Sequence, residues 1–292
     1  MLRVPLPRRG GLRCRERSLT YGDRTAVVGI INLTPDSFSG DGLAGQIDRA
    51  VERAVRMVAE GAALLDVGGE STRPAAVPIG ADEEIRRVVP AIAAIVAAVD
   101  APVSIDTRRA DVAEAALRAG AHLLNDVTGL QRDPRLARLA AEFGAPLIVV
   151  HSPGESWSVQ WPATYGDVVA DVRNGLARSI DVAVAAGVPL DQIIVDPGFG
   201  FGKGARDNLE IVRRLGDLRT LGRPVLLGAS RKQTIGRVLG VPVEERREGS
   251  LALAALAVAE GVDFVRVHDV RETVQVVRMA DAVVRGVGSI PE

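Results

Sequence analysis

At 292 residues, with 47% hydrophobic and 25% charged side chains, the chain has the balance of a folded globular protein and not of a disordered or fibrous one. With 36 Lys and Arg against 37 Asp and Glu the net charge is −1, so no global basic field is available for nucleic acid or an anionic membrane, and any phosphate binding has to be local. One cysteine, Cys14, excludes an intramolecular disulfide and suits a reducing cytosol, and the longest apolar run, LALAALAVA, falls far short of the ~20 residues a membrane span needs. A cytoplasmic protein is expected.

Residues 1–25 read as an N-terminal extension. Arg3, Arg8, Arg9, Arg13, Arg15 and Arg17 crowd its start, yet no apolar h-region follows as a targeting peptide requires. The weak alternation of LRCRERSLTYGD, ending in a turn signal, predicts a short surface hairpin. From 26 to 292, eight short β-branched runs recur at 27–31, 63–67, 102–105, 122–124, 146–150, 192–195, 224–227 and 263–267, each followed by a stretch of helical period. After the first run, Ile47, Val51, Ala54, Val55 and Val58 form one apolar stripe; after the last, Val274, Val277 and Met279 continue the pattern. Ala-Gly at 119–120 and 186–187 and Glu-Gly at 260–261 sit where helices close before a strand. Eight such units in one chain predict a (β/α)8 barrel in a single domain, with a doubly wound open sheet as the alternative.

A barrel builds its active site at the C-terminal ends of its strands. There the runs end in Asn32; in Asp66 leading to GGESTRP; in Asp106; in Asn125 and Asp126; in His151; in Asp196; in Ser230, Arg231 and Lys232; and in Arg266 and His268. Short carboxylates and amides recurring at one strand position point to a site more than to solvated strand ends. Six of the nine aromatics, Phe38, Trp157, Trp161, Tyr165, Phe199 and Phe201, fall beside the segments after runs one, five and six, which suits stacking on a flat ligand; Phe143 and Phe264 read as core. His122 opens a strand and reads as structural.

Several familiar chemistries fail to match. DPGFGFGKG is not a Walker loop, because Pro197 stands where the first glycine is needed and Gly204 follows Lys203 in place of Ser or Thr. No GxGxxG follows the first run, and three histidines without an HExxH or a Cys/His cluster give no zinc site. A Mg²⁺ shared with a substrate phosphate asks for one or two oxygen ligands, and Asn32 or Asp36 would supply them. Asp106, Asp196 and Asn125 suit a heterocycle with adjacent N–H donors. Arg266 and His268, two apart on a strand, face one way, and with Asn32 across the barrel opening they form a local anion site. The expected ligand is flat, rich in nitrogen and phosphorylated.

The segments GIINLTPDSFSGDG, LLDVGGESTRP, SIDT, NDVTG, IVDPGFGFGK, GASRK and VRVHDV, in this order and each at an expected strand end, resemble the dihydropteroate synthase family of pterin-binding barrels from about residue 12 onward. The resemblance implies condensation of 6-hydroxymethyl-7,8-dihydropterin pyrophosphate with 4-aminobenzoate, with Mg²⁺ and a homodimeric enzyme. By position it implies that Asp106, Asn125, Asp196 and Lys232 hold the pterin. Asn32, Arg266 and His268 would hold the pyrophosphate, with Asn32 on the metal. Phe38, Thr72, Arg73, Pro74 and Phe201 would form the aminobenzoate pocket. Asp106, Asp196, Lys232, Arg266 and His268 become the expected catalytic set. A methyltetrahydrofolate:corrinoid methyltransferase would share the aspartates without needing Arg266 and His268, and a catalytically silent pterin-binding paralogue would be expected to have lost Lys232 or Arg266.

Overall fold

The computed structural model describes residues 9–34, 47–71, 77–153 and 163–286. Two antiparallel strands come first, β1 (Gly10–Cys14) and β2 (Arg17–Tyr21). Alternating units follow: β3 (Ala26–Asn32), α1 (Ile47–Ala59), β4 (Leu64–Gly68), α2 (Ala81–Ala98), β5 (Val103–Asp106) and α3 (Ala110–Arg118). They continue through β6 (Leu123–Asp126), α4 (Arg135–Phe143), β7 (Leu147–Val150), α5 (Val168–Ala185), β8 (Ile193–Asp196) and α6 (Ala205–Arg213). The last are β9 (Leu226–Leu227), α7 (Gln233–Leu239), α8 (Arg247–Ala259), β10 (Phe264–Val267) and α9 (Val270–Arg285). The parallel strands run in the order β8-β7-β6-β5-β4-β3-β10-β9, and a bridge between Val195 and Val225 joins the two ends. The ring is a (β/α)8 barrel, and the open-sheet alternative falls.

Side chains alternate across each strand, so one register sorts every residue to one of two faces. Val27, Ile31, Leu65, Val67, Val103, Ile105, Leu147, Val149, Ile193 and Val195 point outward and join the helices in the main core. Val28, Leu64, Leu123, Ile148, Ile194, Leu226 and Phe264 point inward and fill the barrel. Leu12, Cys14 and Leu19 from the hairpin belong to this same interior cluster.

The hairpin is therefore a plug under the barrel and not the surface extension its arginines suggest. Arg15 donates to the carbonyls of Leu117 and Ala121, and Arg17 to those of Ala101 and Val96, so both cations meet the electronegative ends of α3 and α2. Arg13 N–H donates to Gln192 Oε1 at 2.7 Å, and Glu16 lies 3.0 Å from the fully buried His122, whose Nδ1 accepts from Val103 N–H. His122 is structural, as read. Burial pushes the Cys14 thiol up to about 12.

Two helical stripes sit differently from expectation. In α1 the buried residues are Ala50, Ala54 and Met57, while Ile47 and Val55 are exposed. The helix approaches β3 at Gly29, where an added Cβ would lie 2.8 Å from the Met57 sulfur, so small residues and a flexible one occupy the contact; Val51 and Val58 pack at its edge and Ile47 and Val55 are turned outward. In α9 Val274 and Val277 are buried but Met279 is exposed. Gly120, Gly187 and Gly261 end α3, α5 and α8 with φ of 108°, 101° and 79°, as the Gly signals predicted.

Candidate functional site

On five strands the inward face changes from apolar to polar within two residues, and on β5 both inward positions are polar. Leu64 is followed at that spacing by Asp66, Leu123 by Asn125, Ile194 by Asp196, Phe264 by Arg266, Ile30 by Asn32 and Ser104 by Asp106. Register then sets Asp106 beside Asn125 on one side and Gly68 on the other. The result is a cavity of about 230 Å³ whose walls include Asn32, Asp106, Asn125, Asp196, Phe201, Lys232, Arg266 and His268. Every expected site residue that lies within the described residues reaches this one cavity. Phe38, Thr72, Arg73 and Pro74 lie outside the described residues, as do Asp36, Trp157 and Trp161.

The cavity floor is a network of charge. Arg266 Nε donates to Asp66 Oδ2 at 2.5 Å and Nη2 to Asp106 at 2.8 Å. Asn125 Nδ2 donates to the same oxygen, Asp66 Oδ2, at 2.9 Å, and Ser104 Oγ donates to Oδ1. The Oδ1 of Asn125 is buried without a partner among the described residues, and a buried acceptor of this kind calls for an incoming N–H. Burial pushes the Asp106 carboxyl up to about 7; Arg266 opposes that shift, and Asp66 and Glu84 add to it. Burial likewise raises Asp196, against the pull of Lys232 and a hydrogen bond from Gly198 N–H at 2.7 Å.

On the far wall the loop after β8 is folded about two ammonium groups. Lys203, 4% exposed, donates to the carbonyls of His151, Gly198 and Phe201 at 3.1, 3.0 and 2.9 Å. Lys232 donates to the carbonyl of Phe199 and stands 4.2 Å from the centre of the Phe201 ring. Burial lowers Lys203 to about 7 and Lys232 to about 8, with Asp196 pulling both back toward the charged form. The tight wrap needs glycine at 198, where φ is +68° and an added Cβ would lie 1.9 Å from the His151 carbonyl oxygen. Phe199 is fully buried in the main core and so does not stack on a ligand, unlike the half-buried Phe201 on the cavity wall. Tyr165 packs against the core with its hydroxyl 3.4 Å from the Gly202 carbonyl.

Beyond the ends of β9 and β10, His268 is bound through Nδ1 to Ser230 Oγ at 3.0 Å. Arg231, in left-handed conformation at φ 55°, is clasped by Asp269, and its backbone N–H donates to Ser250 Oγ. Asn32 is not across the opening from Arg266 and His268. β3 and β10 are paired neighbours, because closure of the ring puts the first barrel strand beside the last.

Not all eight strand-end polar groups serve the cavity. Asp126 points outward and accepts from the N–H groups of Thr128 and Leu130, which builds the following turn. His151 packs toward α5, where a Cβ on Gly175 would lie 2.5 Å from its ring, and burial with Lys203 and Arg178 nearby lowers it to about 3. Three contributors went unassigned in the sequence. Asp66 was visible as a carboxylate in a buried run, but its role depends on partners 38 to 200 residues away. Lys203 was visible as the lysine closing an alternating glycine run. Glu70, on the cavity wall, is held by Arg108 at 2.7 Å and Arg109 at 3.0 Å, and Arg109 also pairs with the buried Glu84 of α2. The two guanidinium groups hold Glu70 below the usual carboxylate range despite its burial.

Fold and site together define a (β/α)8 barrel with a cavity at the C-terminal ends of its strands, lined by carboxylates, an amide and cations. The chain belongs to the pterin binding enzyme family, whose model matches residues 28–268. It is similar to the dihydropteroate synthase of Bacillus subtilis (strain 168), with 42% identity over 271 residues, 93% of each chain. Among solved structures it is similar to dihydropteroate synthase from Thermus thermophilus in complex with 4-aminobenzoate (46% identity, TM-score 0.82, 94% of this chain and 100% of that one). It is also similar to the Xanthomonas albilineans enzyme in complex with 7,8-dihydropteroate (40% identity, TM-score 0.83, 96% of this chain and 100% of that one).

Proposed function

We propose that this chain is a dihydropteroate synthase that joins 6-hydroxymethyl-7,8-dihydropterin pyrophosphate to 4-aminobenzoate and releases 7,8-dihydropteroate and pyrophosphate. The observation that carries the reading is one cavity that unites the acceptors Asp106, Asp196 and Asn125 Oδ1, the last without a partner among the described residues, with the cations Arg266 and Lys232. Relatives of the same family and nearly the same length bear that activity in their names.

In this reading Asp106, Asn125 and Asp196 accept the N–H groups of the pterin, and Lys232 donates to it. As the methylene to pyrophosphate bond breaks, positive charge spreads into the pterin ring, and the two carboxylates stabilise it. Arg266 and His268, which share the cavity with Asn32, receive the leaving anion. The amine of 4-aminobenzoate then attacks the methylene carbon and the resulting ammonium loses its proton to water; positioning by Phe201 and by Phe38, Thr72, Arg73 and Pro74 suffices, with no strong base and no covalent enzyme intermediate.

The donor set for a metal is sparse: among the described residues no three His, Cys, Asp or Glu side chains gather to hold an ion. The Asn32 carboxamide on the cavity wall fits a Mg²⁺ that arrives with the substrate phosphates and takes most of its ligands from them and from water. Bound there, the ion supplies charge neutralisation for the departing pyrophosphate. A homodimer working in the cytoplasm completes the proposal. Among the described residues no helix is long and apolar enough to cross a membrane, and Val238, Leu239, Leu256, Met279 and Val283 of α7, α8 and α9 are exposed apolar groups that a second copy would cover.

The test is stoichiometric release. Purified protein with Mg²⁺ and both substrates is expected to yield pyrophosphate in step with dihydropteroate. Pterin binding without pyrophosphate release would instead identify a silent pterin-binding protein.

A further inference from the structure

We infer that Asp66 is a positioning residue that sets the donor and acceptor polarity of the cavity floor by orienting Asn125 and Arg266. It is fully buried and lies beneath the cavity, outside its walls. Three side chains from three strands converge on its two oxygens: Ser104 from β5, Asn125 from β6 and Arg266 from β10. A carboxylate paired with a guanidinium is an acceptor alone, so the amide of Asn125 can meet it only through its NH₂. That contact fixes which end of the amide faces the cavity. The carbonyl oxygen is the end presented, and it is buried without a hydrogen-bond partner among the described residues.

The same carboxylate acts on Arg266 in the opposite sense. By taking Nε at 2.5 Å it orients the planar fork so that Nη2 reaches Asp106 at 2.8 Å, with further N–H donors of the guanidinium left for an anion. One group buried under the floor thus makes its Asn125 side an acceptor and its Arg266 side a donor. A ligand that combines ring N–H groups with an anionic tail is selected by both. The naming of that ligand rests on the function proposed above; the orienting role rests on the contacts themselves.

The experiment compares wild type with Asp66→Asn, which keeps the shape but offers an NH₂ where an acceptor stood. Titration calorimetry with 6-hydroxymethyl-7,8-dihydropterin pyrophosphate and Mg²⁺ is expected to show affinity weakened about tenfold or more. The KM for 4-aminobenzoate, measured at saturating pterin pyrophosphate, is expected to change by less than about twofold. In an Asn125→Ala background the Asp66→Asn change should cost less than it does alone, because one of its two routes has been removed. Should Asp66→Asn fail to fold, Ser104→Ala removes one of the three donors and leaves the carboxylate, with an expected weakening of about two- to fivefold for the pterin substrate.

Equal pterin affinity in wild type and Asp66→Asn, or costs that simply add in the double variant, would overturn the inference while leaving the proposed function standing. A wild type that binds no pterin pyrophosphate would overturn the function, and the ligand assignment with it. A loss in Asp66→Asn shared equally by both substrates and tracking a lowered melting temperature would assign Asp66 to the core alone.

Discussion

The two ends of the barrel use the same inward register for opposite purposes. At the lower end Val28, Leu64, Leu123, Ile194 and Phe264 meet Leu12, Cys14 and Leu19 of the hairpin and close a dry core. Two residues further along the same faces, Asp66, Asn125, Asp196 and Arg266 build the floor and walls of a cavity. Cations mark both ends, but their partners differ. Arg15 and Arg17 below are matched by backbone carbonyls of helices and loops, groups that exist in any helical barrel. Arg266 above is matched by two carboxylates, Asp106 on the cavity wall and Asp66 beneath it, and Lys232 lies between a carbonyl and an aromatic face. The lesson is that a cation matched only by carbonyls away from the cavity holds the fold, whereas Arg266 and Lys232, on the cavity wall with Asp106 and Asp196, stand where a ligand would enter.

Substitutions at the upper end should show this most sharply. Lys232→Ala or Asp196→Asn is expected to lower kcat/KM about 10²-fold or more while circular dichroism and melting temperature stay near wild type. Unchanged turnover in either variant would take that residue out of the site. Gly198→Ala tests the junction between scaffold and site. A Cβ there collides with the His151 carbonyl and φ is left-handed, so a loss of about 3 kcal/mol of stability is expected by chemical denaturation, with activity falling because Lys203, Phe201 and Lys232 share that loop.

A pH profile reads the upper end without altering it. Lys232 is lowered to about 8, so its ammonium is present below that value and is lost as pH rises through it. Turnover should therefore fall on an alkaline limb near pH 8, and Lys232→Arg, which stays charged, should remove that limb even at reduced activity. An alkaline limb that persists unchanged in Lys232→Arg would assign it to another group. The smallest effect belongs to the lower end: Arg17→Ala should cost about 1 kcal/mol in stability, from its two lost carbonyl contacts, and leave kcat and KM as they were. A change in KM there would break the division between the two ends.

Much of this was legible before any coordinates. The alternation of strands and helices, the glycines that end α3, α5 and α8, and the position of each polar residue at a strand's end are local signals with local causes. The motifs were specific enough to indicate the family. Other readings failed for identifiable reasons. The arginines of the hairpin looked like surface charge because the carbonyls that satisfy them belong to residues 79 to 106 positions away. Phe199 and Phe201 share a glycine-rich neighbourhood in sequence, yet one is core and the other lines the cavity. His151 and Asp126 share the strand-end position with Asp196 but point the other way.

By itself the sequence determined the period of each element, the order of the units and the chemical types gathered at the strand ends, because backbone preference and side-chain alternation act over a few residues. Only the tertiary structure decided which polar groups meet. Ring closure placed β10 beside β3 and so put Asn32 on the strand neighbouring Arg266 and His268, and it carried Arg266 to Asp66 and Asp106 from 200 and 160 positions away. Those pairings depend on barrel closure and strand register, and neither leaves a mark on the residues that it brings together.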